Sequence, residues 1–247
     1  MILTTYLGAL QAVAAAQPTA PTPHAAPGTP ASESSVLCNR LRARWTRQYV
    51  GAVAIRTGAE LAVATAARLS AAHLVMHAER LSATDMFTAA HHGVGHIVIS
   101  TQRHATLVRS AMARRDQLVL LHTVNTAATC RISGAGFDED TAVYVLAHPL
   151  LRLTGLHADI GCGDGDFVST PAAIGQMIAE MAEIRDRHNV VLPRVSVGVD
   201  SEAAVPDMAR HVIDIDAALR DACHTFGYPL PSVIVSSADR ALRRGAA

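Results

Sequence analysis

The chain has 247 residues, half of them apolar, 17% charged and only 4% aromatic. That is enough apolar matter for one large domain or two small ones, and it excludes a mainly disordered chain. Twenty-one basic residues balance twenty-one acidic ones, so no basic surface for nucleic acid is indicated, and the shortage of aromatics argues against base-stacking platforms.

Ile2 to Ala16 is a mostly apolar run with no basic residue before it. It lacks the charged start of a secretory signal and is too short to span a bilayer, so it reads as a short amphipathic helix or a disordered start. Gln17 to Ser35 holds five of the chain's eleven prolines among Thr, Ala and Ser, the composition of an extended linker. The expected division is therefore 1–35 for this apolar start and Pro-rich linker and 36–247 for the folded domain.

From residue 36 onward, short apolar runs alternate with helical patterns. Strands are expected at Ala52–Ile55, His73–His77, His96–Ser100, Leu118–Val124, Leu153–Asp159, Arg194–Val199 and Ser232–Ser236. They are nearly continuous apolar runs, as parallel strands covered on both faces require. Gly58 to Ser70 reads as a helix with Leu61, Ala62, Thr65 and Leu69 on one side. Ser82 to Asp85 reads as a capping box ahead of Met86–His92, and Gly93 supplies the stop. Thr170-Pro171 opens the longest helix, in which Ile174, Met177, Ile178, Met181 and Ile184 make an apolar stripe. Asp214 to Phe226 is the last helix, ended by Gly227 and Pro229.

This alternation predicts an α/β fold, a (β/α)8 TIM-like barrel, with an open doubly wound sheet as the alternative. The first strand of an eight-stranded barrel falls on residues 31–37, Ala-Ser-Glu-Ser-Ser-Val-Leu, a poor buried strand. No GxGxxG follows the first clear strand to favour a dinucleotide fold.

Two counts restrict the chemistry. All 21 basic residues are arginine, so the chain contains no lysine and no side chain that can form a lysine Schiff base. Cys38, Cys130, Cys162 and Cys223 are widely spaced without a CxxC pair, which fits neither a zinc ribbon nor a disulfide scaffold and suits reduced thiols in a cytoplasmic protein.

Several strings stand in one order: Thr57-Gly58-Ala59-Glu60-Leu61, His77 to Ser82, Gly93 to Val98, Gly155-Leu156-His157-Ala158-Asp159-Ile160-Gly161, and Pro231 to Arg240. In this order they resemble the N-terminal barrel of diaminopimelate decarboxylase, in the pyridoxal-phosphate family shared with ornithine and arginine decarboxylases. The resemblance covers residues 36–247 and implies a PLP-binding, alanine racemase-like barrel without the C-terminal β-domain of the family. It also implies pyridoxal phosphate as the family cofactor, bound to a lysine on the first strand, where this chain has Ser near position 34.

The resemblance places the family's cofactor site on His157, Asp159, Gly161, Cys162, Gly198, Ser236 and Arg240. His157 keeps a family histidine. Asp159 stands where the family has the histidine that stacks on the pyridine ring, and Cys162 where it has a serine beside the phosphate. Gly198-Val199-Asp200 is what remains of the glycine-rich phosphate turn, and Asp200 brings unfavourable negative charge. Ser236 replaces the glutamate that pairs with the pyridine nitrogen, and Arg240 matches the family arginine. These differences imply a degenerate homologue without lysine-dependent catalysis, acting through binding, as a homodimer or as a heterodimer with an active family member. The alternative is residual decarboxylation of meso-diaminopimelate to lysine.

A third reading is a metal-dependent barrel hydrolase. His157 and Asp159, two apart on one strand, face the same way into the barrel mouth. Cys162, Asp164 and Asp166 follow, and His77, Ser100 and His122 fall near other strand ends. No recognised ligand string such as HExxH is present, so no metal ligands are expected, and the same residues read better as inherited barrel positions and a polar loop.

Overall fold

The computed structural model describes residues 52–111, 116–123, 137–160, 169–199 and 205–238, with side chains in the last stretch from 212 to 236. The boundary expected at residue 36, together with Gly161, Cys162 and Arg240, lies outside the described residues.

Seven parallel strands close into a barrel: β1 (Ala52–Ile55), β2 (Leu74–His77), β3 (His96–Ile99), β4 (Gln117–His122), β5 (Leu151–Ile160), β6 (Arg194–Val199) and β7 (Ser232–Ala238). All seven expected strands are present, with ends shifted by no more than a few residues. Between them run α1 (Gly58–Ala66), α2 (Ala83–His92), α3 (Gln102–Ala111), α4 (Glu139–Leu146), α5 (Thr170–His188) and α6 (Val205–Phe226). The closed sheet excludes the open doubly wound alternative.

Closure is made by β1 and β7. Ala52 pairs with Ser236 and Val53 with Ser237, so no eighth strand stands between them. The strand expected at 31–37 would occupy that seam in an eight-stranded barrel, and the seam is already hydrogen-bonded shut.

Alternation sorts the strand residues into two apolar clusters. Val53, Ile55, Leu74, Met76, Ile97, Ile99, Leu156, Val195 and Val197 face outward and pack with the helices in the main core. Ala52, Val75, Val98 and Leu120, with Ile234 against them, fill the barrel interior as a separate cluster.

Local chemistry fixes the helix ends. Thr57–Glu60 and Ser82–Asp85 both form reciprocal capping boxes. Gly93 and Gly227 adopt positive φ of 69° and 57°, which glycine tolerates without a Cβ clash. The stripe Ile174, Met177, Ile178, Met181 and Ile184 on α5 is buried throughout. In α1 the expected face needs correction: Leu61, Ala64 and Ala67 are buried, whereas Ala62 and Thr65 are exposed. Alanines on every side of this helix leave its apolar face unmarked in the sequence.

Candidate functional site

The C-terminal ends of barrel strands collect side chains from distant parts of the chain. Here the parallel register makes two rows. His122 on β4, His157 on β5 and Ser196 on β6 are direct neighbours, and one step further Asp159, Gly198 and Ser236 line up across β5, β6 and β7. Three of the residues that the resemblance assigned to the cofactor thus share one row. His77, at the end of β2, completes the cluster from the other side, its ring edge-on to His157 with centroids 4.8 Å apart.

His157 is fully buried. Its Nδ1 lies 2.9 Å from Ser196 Oγ, and its Nε2 lies 3.5 Å from Asp159 Oδ1 without closing into a hydrogen bond. Asp159 is held instead by Arg56, whose guanidinium donates to Oδ1 at 3.1 Å. Burial pushes the Asp159 carboxyl up, but the His157 ring beside it, and after it His77 and the Arg56 guanidinium, outweigh burial and hold the group well below the usual carboxylate range. His77 is pushed down to about 3, chiefly by burial and then by His157, so it is neutral at ordinary pH. Burial also lowers His122, with His157 acting in the same direction and Asp159 and Glu79 opposing.

Beside this cluster, Glu79 accepts a 2.7 Å hydrogen bond from Ser100 Oγ and lies 3.9 Å from His122 Nδ1. His157, Asp159, His77 and His122, all noted from the sequence, therefore converge, and Ser100 joins through Glu79. Arg56, Glu79 and Ser196 were not anticipated. Arg56 had one usable signal, its place directly after the apolar run Ala52–Ile55, and Ser196 sits two residues before Gly198 on the inward phase of β6. Ser236 is buried in the same row as Gly198 and bonds to the Val197 carbonyl at 3.4 Å, with no part in the histidine cluster.

No family model matches the chain. Diaminopimelate decarboxylases of Mycobacterium tuberculosis and Mycobacterium bovis are 25% identical over 228 residues, covering 81% of this chain and 50% of theirs. The solved diaminopimelate decarboxylase of M. jannaschii superposes with a TM-score of 0.62 at 13% identity, over 83% of this chain and 51% of that one. That of Helicobacter pylori, complexed with L-lysine, gives 0.58 at 14% identity, over 85% and 55%. The barrel is diaminopimelate decarboxylase-like. The chain spans about half the length of the curated relatives it matches. SrLDC, solved in complex with PLP and cadaverine, shares the fold with a TM-score of 0.60 at 13% identity, over 83% of this chain and 52% of that one.

The residues of this decarboxylase-like barrel do not fit covalently held pyridoxal phosphate. There is no lysine amine to condense with the aldehyde. Asp159, where the resemblance has a ring-stacking histidine, offers an ion-paired carboxylate in place of a flat π-face. That carboxylate also lies over Gly198, with Oδ1 2.0 Å from where a Cβ would stand. It thus covers backbone that the resemblance reserves for the phosphate.

Proposed function

We propose that this chain is a decarboxylase-like barrel that has left Schiff-base chemistry and acts by binding. The observation that carries the reading is the absence of lysine from all 247 residues. Transimination through a lysine is the step by which a pyridoxal enzyme exchanges substrates, and no other side chain replaces it. The Arg56–Asp159 pair across the mouth supports the same reading, because it puts an ion-paired carboxylate at the position where the resemblance has a ring-stacking histidine.

The partner we favour is a second barrel of the same kind, either a copy of this chain or an active decarboxylase, in the cytoplasm. A fold kept while its cofactor residues change retains the shape by which such barrels associate. Among the described residues no helix is long and apolar enough to cross a membrane.

The test is a pyridoxal phosphate titration of the purified chain, followed by dialysis and an absorbance scan over roughly 330–430 nm, where the cofactor's own chromophore reports. The expected result is no chromophore that survives dialysis and no pyridoxyl adduct after borohydride. A stoichiometric retained chromophore, or release of carbon dioxide from meso-diaminopimelate by homogeneous protein, overturns the proposal.

A further inference from the structure

We propose that His77, His157 and Asp159 form a binding site for a divalent first-row transition-metal ion at the barrel mouth. The inference rests on the reading that this mouth is not filled by pyridoxal phosphate.

One ligand atom from each of the three side chains falls within 4.8 Å of the others. Ligands held at about 2.0–2.2 Å from one ion stand roughly 3.0–3.5 Å apart. His157 Nε2 and Asp159 Oδ1 already have that separation, 3.5 Å, without forming a hydrogen bond. The Nε2 atoms of both His157 and His77 are buried and have no hydrogen-bond partner, although the two residues are only 0% and 7% exposed. Buried ring nitrogens left unpaired are costly unless something accepts their lone pairs or protons. A metal ion satisfies both at once.

The surroundings fit the same assignment. Metal-binding imidazoles typically donate their other nitrogen to an oxygen that fixes the tautomer. For His157 that partner is Ser196 Oγ, 2.9 Å from Nδ1. With Nδ1–H donated there, the Nε2 lone pair is free to bind an ion. Two imidazoles and one carboxylate suit zinc or iron(II) and leave coordination positions open to water or to an exogenous anion. Arg56 is the competitor, since it holds the same carboxylate oxygen.

The experiment uses the full chain, stripped with chelator, desalted and titrated with Co2+ in the absence of pyridoxal phosphate. The visible d–d bands report the bound ion. The expected result is stoichiometric Co2+, with affinity at least tenfold weaker in His77→Ala and in Asp159→Ala and unchanged in the control His91→Ala, an exposed histidine. Because either substitution can disturb the barrel, pulsed EPR of the unsubstituted chain loaded with Cu2+ provides a second reading, and couplings to two imidazoles are expected. Substoichiometric Co2+, unchanged affinity in a folded His77→Ala protein, or a single coupled imidazole overturns the site. A pyridoxal chromophore in the separate cofactor assay would defeat the binding function instead, so the two failures are told apart.

Discussion

Arg56, directly after β1, reaches across the barrel mouth to Asp159 on β5, its guanidinium nitrogen 3.1 Å from Oδ1. The two side chains are 29% and 25% exposed, so the pair is sheltered without being fully desolvated. Removing either partner leaves a charge in a partly buried site. Asp159→Ala or Arg56→Ala alone is expected to cost about 1–2 kcal/mol of stability, read from urea midpoints. The double variant should cost less than the sum of the two. Simple additivity would mean that the ion pair contributes nothing and that the carboxylate is held by its histidine neighbours alone.

The same pair sets a competition with the proposed ion. A cation entering between His77, His157 and Asp159 must share a carboxylate that Arg56 already holds. Arg56→Ala is therefore expected to tighten Co2+ binding, even though it destabilises the fold. Ser196→Ala removes the oxygen beside His157 Nδ1 and should weaken binding about tenfold, the usual scale for such a supporting contact. Opposite signs from two neighbouring substitutions separate metal coordination from general loosening of the barrel mouth, which would weaken binding in both.

The strands were legible because each is a compact run of β-branched and aliphatic residues bounded by polar turns. The residues β1 to β7 bury are the ones the runs contain. The mouth was legible only in part. His157 and Asp159 share a strand, so their common direction followed from period two. That His77 and His122 arrive beside them depends on register across several strands, which no local pattern encodes. Arg56 escaped notice because one charged residue after a strand looks like any loop residue. The weak composition at 31–37 marked the first strand as doubtful in the sequence, but the direct pairing of Ala52 with Ser236 is a property of closure, set by how seven strands meet rather than by either strand's sequence.

Acid should destabilise the barrel through its buried histidines. His77 is held down to about 3 and His96 to about 4, the latter by burial and then by Arg194, whose guanidinium lies 3.3 Å from its ring. Both start from an ordinary value of 6.5, so the unfolded chain takes up protons at a pH where the folded chain does not. Their contribution is full above about pH 6.5 and is lost as pH falls towards 4 and then 3. Each group adds at most about 1.4 kcal/mol per pH unit to the slope. Urea midpoints measured from pH 7.5 to 4.5 should fall steadily, and His96→Gln should flatten the curve. A midpoint independent of pH in that range would show that both rings protonate freely in the folded chain.

Two glycines at the β5–β6 seam should respond differently to a single methyl group. A Cβ on Gly155 would lie 2.0 Å from the backbone carbonyl oxygen of Arg194, its register partner on β6. Neither strand can retreat without breaking the ladder, so Gly155→Ala is expected to cost about 3 kcal/mol and lower expression. A Cβ on Gly198 would also meet an atom at 2.0 Å, but that atom is Oδ1 of Asp159, the tip of a side chain that can turn away. Gly198→Ala should therefore fold, with a loss of about 1 kcal/mol, the order of the Arg56 contact it disrupts. It should also weaken Co2+ binding, because Asp159 is displaced from His157. Equal destabilisation at the two positions would mean that Asp159 is clamped as rigidly as the backbone, and then Arg56 could not be its only restraint.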